Sequence, residues 1–95
     1  MNVKSFIGRE INFDCQPYNT GRGRIVAISE PKDGMWDTYY AIDVEVIEGK
    51  TRNRILQHVS YTPMRQGERL HMYNYTAREL EQAVNGRTLI YVYPV

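Results

Sequence analysis

The run Tyr39-Tyr40-Ala41-Ile42-Asp43-Val44-Glu45-Val46 alternates apolar and polar side chains with period two. That spacing suits a β-strand and not a 3.6-residue helix: Tyr40, Ile42, Val44 and Val46 share a face for a core, while Asp43 and Glu45 share a face for water. No other part of the chain is patterned so clearly. The surrounding stretch, residues 21–59, therefore reads as a meander of three strands at 23–29, 38–47 and 51–59.

Two turn signals divide that meander. Pro31-Lys32-Asp33-Gly34 presets one dihedral with proline and accepts a left-handed one at glycine, closing a hairpin whose far side begins near Trp36. Glu48-Gly49 is short enough to fix a register. A two-residue loop there places Ile47 opposite Lys50, Glu45 opposite Arg52, Asp43 opposite Arg54, Ala41 opposite Leu56 and Tyr39 opposite His58. Every charge of the hairpin then falls on one face with opposite signs paired, which turns Arg52 and Arg54 from ligand contacts into partners of Glu45 and Asp43.

The flanks follow the same logic. Residues 10–15 form a first strand, ended by Pro17 and the turn-prone Tyr18-Asn19-Thr20-Gly21. Gly21-Arg22-Gly23-Arg24 opens the next strand and not a helix, and no Lys-Ser or Lys-Thr follows, so its glycines mark a bulge before they mark a phosphate loop. Residues 68–75 form a short strand. Thr76 with Glu79 is a capping box, Tyr75 and Leu80 are placed for a hydrophobic staple, and Leu80, Ala83 and Val84 share one helical face that stops at Gly86. A helix of residues 77–85 is too short to stand alone and must dock on the sheet. Residues 88–93 form the closing strand.

The fold class is thus mainly β, with five or six strands and one short helix before the last. Gly21-Arg22-Gly23-Arg24-Ile25-Val26, the central alternating run and Tyr75-Thr76-Ala77-Arg78-Glu79-Leu80 are together similar to the SH3-like β-barrels. That resemblance implies a single SH3-like domain over 1–95, either as a small barrel or as a strongly twisted antiparallel sheet. One such fold hosts many activities, so it implies no function.

Composition narrows the function classes. The net charge is +1, which argues against a generally cationic surface for nucleic acid or lipid. Charge is nevertheless uneven, −2 through Ile47 and +3 from Glu48 onward, and nine of the twelve basic residues are arginine. One cysteine, Cys15, cannot form an internal disulfide, and no apolar run is long enough to cross a bilayer; a cytoplasmic protein with no membrane partner is the expectation. His58 and His71 lack a second ligand at metal spacing, the three serines lie in no nucleophile elbow, and Asp33 and Asp37 are placed to cap a turn. No catalytic residue, metal or cofactor is expected.

Eight tyrosines are the main anomaly, since tyrosine and arginine are enriched at binding hot spots. Tyrosine is also simply a good strand residue, as at Tyr91 and Tyr93. Candidate binding residues are Tyr18, Arg22, Arg24, Trp36, Tyr61, Arg65, Arg69 and Tyr73. Packing over one end of the sheet is the expected fate of Trp36, because so large an aromatic is more often buried, and an exposed platform is the alternative. Two function classes remain. One is a protein-binding module, a small inhibitor or adaptor of the phage type, acting through Tyr/Arg loops or a free strand edge. The other binds nucleic acid or an anionic nucleotide by stacking bases and meeting phosphates. A homo-oligomer is compatible with either.

Overall fold

The alternating run lies within β4 (Thr38–Thr51), which is fourteen residues long and forms the spine of the sheet. The computed structural model describes residues 2–16, 19–51 and 65–92. Around β4 stand β1 (Glu10–Gln16), β2 (Asn19–Ile28), the two-residue β3 (Lys32–Asp33), β5 (Arg69–Tyr75) and β6 (Leu89–Val92). The helix α1 (Ala77–Val84) precedes β6, and a 3₁₀ turn over Val3–Phe6 precedes β1. These six strands make one curled, mixed sheet, a half-barrel, with β2 and β5 on the two edges of β4.

The curl has identifiable causes. Register shifts interrupt the β2–β4 ladder between Arg22 and Gly23 and between Ile25 and Ala27, and such bulges add local twist. Gly21 and Gly23 face inward over the Phe13 ring. A Cβ at Gly21 would lie 2.9 Å from Phe13 Cζ, and one at Gly23 would collide with Val44 Cγ1. The glycines therefore make room for a phenylalanine that is wholly buried, and the arginines alternating with them are turned to the outer face.

The chain does not turn at Glu48-Gly49. Both residues continue β4, with Glu48 opposite Arg22 and Gly49 opposite Gly21. Gly49 serves close backbone approach: its Cα lies 3.0 Å from the place a Gly21 Cβ would occupy. The register pairing Glu45 with Arg52 and Asp43 with Arg54 is thereby overturned. On β4, Glu45 lies between Arg24 and Arg69, and Asp43 lies between Ala27 and His71. Arg52, Arg54, Leu56 and His58, and the strand expected beyond Thr51, fall outside the described residues.

One further departure concerns direction. The closing strand pairs with β1 and runs parallel to it, Phe13 opposite Leu89 and Cys15 opposite Tyr91, so the sheet is mixed and not antiparallel throughout. The core lies inside the curl, where Ile11, Phe13, Ile25, Ile42, Val44, Val46, Met72 and Leu80 are each almost fully excluded from water. Fully burying side chains of this size contributes about 1.5–3 kcal/mol apiece. The helix closes one side of it through Leu80 and Ala83.

The helix signals hold in detail. Thr76 Oγ1 accepts from the Glu79 amide at 3.2 Å, and the Glu79 carboxylate accepts from the Thr76 amide at 3.0 Å. At the other end Gly86 has φ +109°, with the Gly86 and Arg87 amides donating to the carbonyls of Ala83 and Gln82.

Candidate functional site

The hairpin built on β2, β3 and β4 ends in Gly34-Met35-Trp36-Asp37, where the Gly34 amide donates to the Asp37 carbonyl at 2.7 Å. The expected hairpin forms, but its turn sits a few residues later than Pro31-Lys32-Asp33-Gly34, because Lys32 and Asp33 pair with Tyr39 and Thr38. Trp36 does not pack over the sheet. It is 88% exposed, and Met35 beside it is 86% exposed.

This tip is ordered by its own bonds. The Thr38 amide donates to Asp37 Oδ1 at 2.8 Å, and the Tyr39 ring lies so close to Gly34 that a Cβ there would meet ring atoms. At the base, Ser29 and Ala41 exchange two bonds: the Ser29 amide donates to the Ala41 carbonyl at 2.9 Å, and the Ala41 amide donates to Ser29 Oγ at 2.8 Å. Lys4 Nζ reaches the Ile28 carbonyl at 2.6 Å, tying the N-terminal turn to the same point. Two large apolar groups are thus held in water by a braced hairpin, an arrangement that stability alone disfavours.

The outer face of the sheet carries the arginines. Glu10, Arg24, Glu45 and Arg69 stand opposite one another across β1, β2, β4 and β5, so signs alternate along the row. Arg22 Nη1 lies 2.8 Å from Glu10 Oε1. Arg69 Nε donates to Asp43 Oδ2 at 3.0 Å, and His71 Nδ1 stands 2.6 Å from Asp43 Oδ1. Because an ionised carboxylate only accepts, this pair needs the proton on Nδ1. The His71 hydrogen bond chiefly holds the Asp43 carboxyl below its usual range; partial desolvation opposes it and the Arg69 charge assists.

Of the residues expected to bind, Arg22, Arg24 and Arg69 share this face, while Trp36 stands apart at the hairpin tip. Tyr73 is half-exposed on β5, its ring 5.8 Å from His71 and 5.9 Å edge-on to Tyr91. Arg65 is exposed in the turn before β5, where its amide donates to Glu68 Oε2 at 3.1 Å. Tyr18 and Tyr61 lie outside the described residues. Among the described candidates, the arginines of the outer face and Trp36 at the hairpin tip therefore do not share one site.

Sequence reasoning missed Met35 and the Asp43–His71 contact. The Met35 signal was present in Gly34-Met35-Trp36-Asp37, a turn in which neighbouring large apolar residues have no strand alternation to send them inward. His71 could not be found that way, since its partner depends on the β4–β5 register. Cys15 is buried on β1. Among the described residues no group of three His, Cys, Asp or Glu is placed to hold a metal ion, and no helix is long and apolar enough to cross a membrane. Comparison with protein-family models, curated proteins and solved structures finds no match to this chain.

Proposed function

We propose that the protein is a non-enzymatic protein-binding module, a small inhibitor or adaptor on an SH3-like scaffold, which engages its partner through the Trp36–Met35 hairpin tip. One observation carries this reading: tryptophan and methionine stand nearly fully exposed on a hydrogen-bonded turn. Tryptophan is the residue most enriched at binding hot spots, and a tip already ordered loses little conformational entropy on docking. The arginines favour the nucleic-acid reading less, because Arg22 and Arg69 already meet carboxylates.

The test is capture from extract of the source cells by the wild type and by Trp36→Ala, with nuclease treatment in parallel. Recovery of a nuclease-resistant protein by the wild type and its loss from Trp36→Ala is the expected result. Binding that survives Trp36→Ala but falls linearly with log salt would replace this reading with phosphate recognition.

A further inference from the structure

The hairpin tip has a counterpart on its own molecule. Between α1 and β6 lies a cleft of about 200 Å³ whose lining includes Tyr75, Glu79, Ala83, Arg87, Leu89 and Ile90. Its volume is below the roughly 300–1,000 Å³ of sites that enclose a whole small-molecule ligand, and it suits a single large side chain. Buried Ala83 and Leu89 supply an apolar floor, and Ile90, 55% exposed, an apolar wall. We propose that the Trp36–Met35 tip seats in the α1–β6 cleft of a second copy of this chain, two copies exchanging tips reciprocally. This rests on the reading of the tip as a docking element and names its partner.

Charge and position both support that occupant. Asp33 and Asp37 flank the tip. At the cleft, Arg87 Nη1 is held by the neutral Gln82 Oε1 at 3.4 Å, and among the described residues no carboxylate stands within ion-pair distance of it. The Glu79 carboxylate is already committed to the Thr76 amide and hydroxyl. From this position the Arg87 guanidinium can lie against an incoming indole face while meeting the aspartates beside it.

Symmetry supplies the rest. Tyr40 on β4 pairs with Tyr75 on β5, and Tyr75 lines the cleft, so the base of the hairpin and the cleft are at one end of the molecule. At about 3.3 Å per residue the tip projects roughly 13 Å beyond Tyr40. Its exposure shows that it does not enter its own cleft. Two copies facing each other at this end can each supply a tip and a cleft, which closes a two-fold dimer instead of an open chain. A contact anchored on one tryptophan per copy belongs with small, weak interfaces, so the expected dimer is reversible.

Sedimentation velocity on the purified chain, from about 5 μM to about 1 mM, tests this, a range that brackets weak association. The wild type is expected to pass from monomer to dimer, and emission from its only tryptophan to shift to the blue and resist acrylamide as concentration rises. Trp36→Ala should weaken the dimer at least about 30-fold. Arg87→Glu should weaken it too, and adding Asp33→Lys and Asp37→Lys to the same chain should restore it, which a merely structural role for Arg87 would not produce. Circular dichroism of each variant confirms the fold. A wild type that stays monomeric throughout, or a Trp36→Ala chain that dimerises equally well, overturns the proposal. If the wild type is monomeric yet Trp36→Ala loses a captured cellular protein, self-docking falls and the tip stands as a docking element; if neither is seen, both fall.

Discussion

At Gly23 an added methyl group would run into Val44 Cγ1 and approach the Glu45 carbonyl to 2.8 Å. Gly23→Ala is therefore expected to destabilise the fold by about 1–3 kcal/mol, the usual cost of overpacking, read as a lower urea midpoint. Phe13→Ala, which empties the space those glycines protect, should cost about 3–5 kcal/mol. Trp36→Ala is the opposite case: a side chain that touches little in the monomer should leave the thermal midpoint of dilute protein unchanged while removing binding. Asp43 adds a pH dependence. Its carboxyl is held low in the folded state, so its contribution is present above the unfolded value of about 3.9 and disappears as pH falls through the lower folded one. Comparison of wild type with Asp43→Asn between pH 6 and 2 should show a gap under about 1 kcal/mol that vanishes in acid, as suits a pair near the surface. An unchanged gap would assign the effect to packing.

Among the elements, the helix was the most legible from sequence and the central meander the least. Thr76, Glu79, Leu80 and Gly86 act on one another within a few residues, so their spacing alone specifies the helix and its stop. Glu48-Gly49 is ambiguous by contrast: a glycine pair signal for a turn is also the signal for close strand approach, and only the presence of Gly21 opposite decides between them. The period-two face is legible in the sequence, with Ile42, Val44 and Val46 inward and Asp43 and Glu45 outward. Their cross-strand partners are not, since register is a tertiary property. The hairpin tip divides in the same way, its turn chemistry visible in the sequence and the exposure of Trp36 not. Within β5, Tyr75 links sheet edge to sheet edge by donating its hydroxyl proton to the Ile90 carbonyl at 2.9 Å. Burial pushes that phenol above its ordinary range, so its share of stability is full below about pH 10 and is lost as pH rises further. Tyr75→Phe should cost about 0.5–1.5 kcal/mol at neutral pH and flatten the alkaline limb of a stability profile.

Over the whole molecule, the half-barrel divides its labour between a charged face, an apolar interior and a projecting hairpin. The alternating row from Glu10 to Arg69 is an exposed face whose opposite charges stand across neighbouring strands and support their register. The docking proposed above would take place at the end that carries the base of the hairpin and the α1–β6 cleft. The parallel pairing of β6 with β1 has a further consequence, for the order of folding. Phe13 cannot acquire Leu89 as its neighbour until the seventy-five intervening residues have been made and have left the ribosome. The β1–β2–β4 antiparallel core can form earlier, whereas the final edge requires the longest loop closure in the sheet, an entropic cost paid late. Leu89→Ala should accordingly speed unfolding and leave the folding rate nearly unchanged in stopped-flow experiments; a folding rate that drops in step with stability would place β6 in the nucleus. On a nascent chain the sheet therefore stays open along β1 until β6 has emerged to seal it.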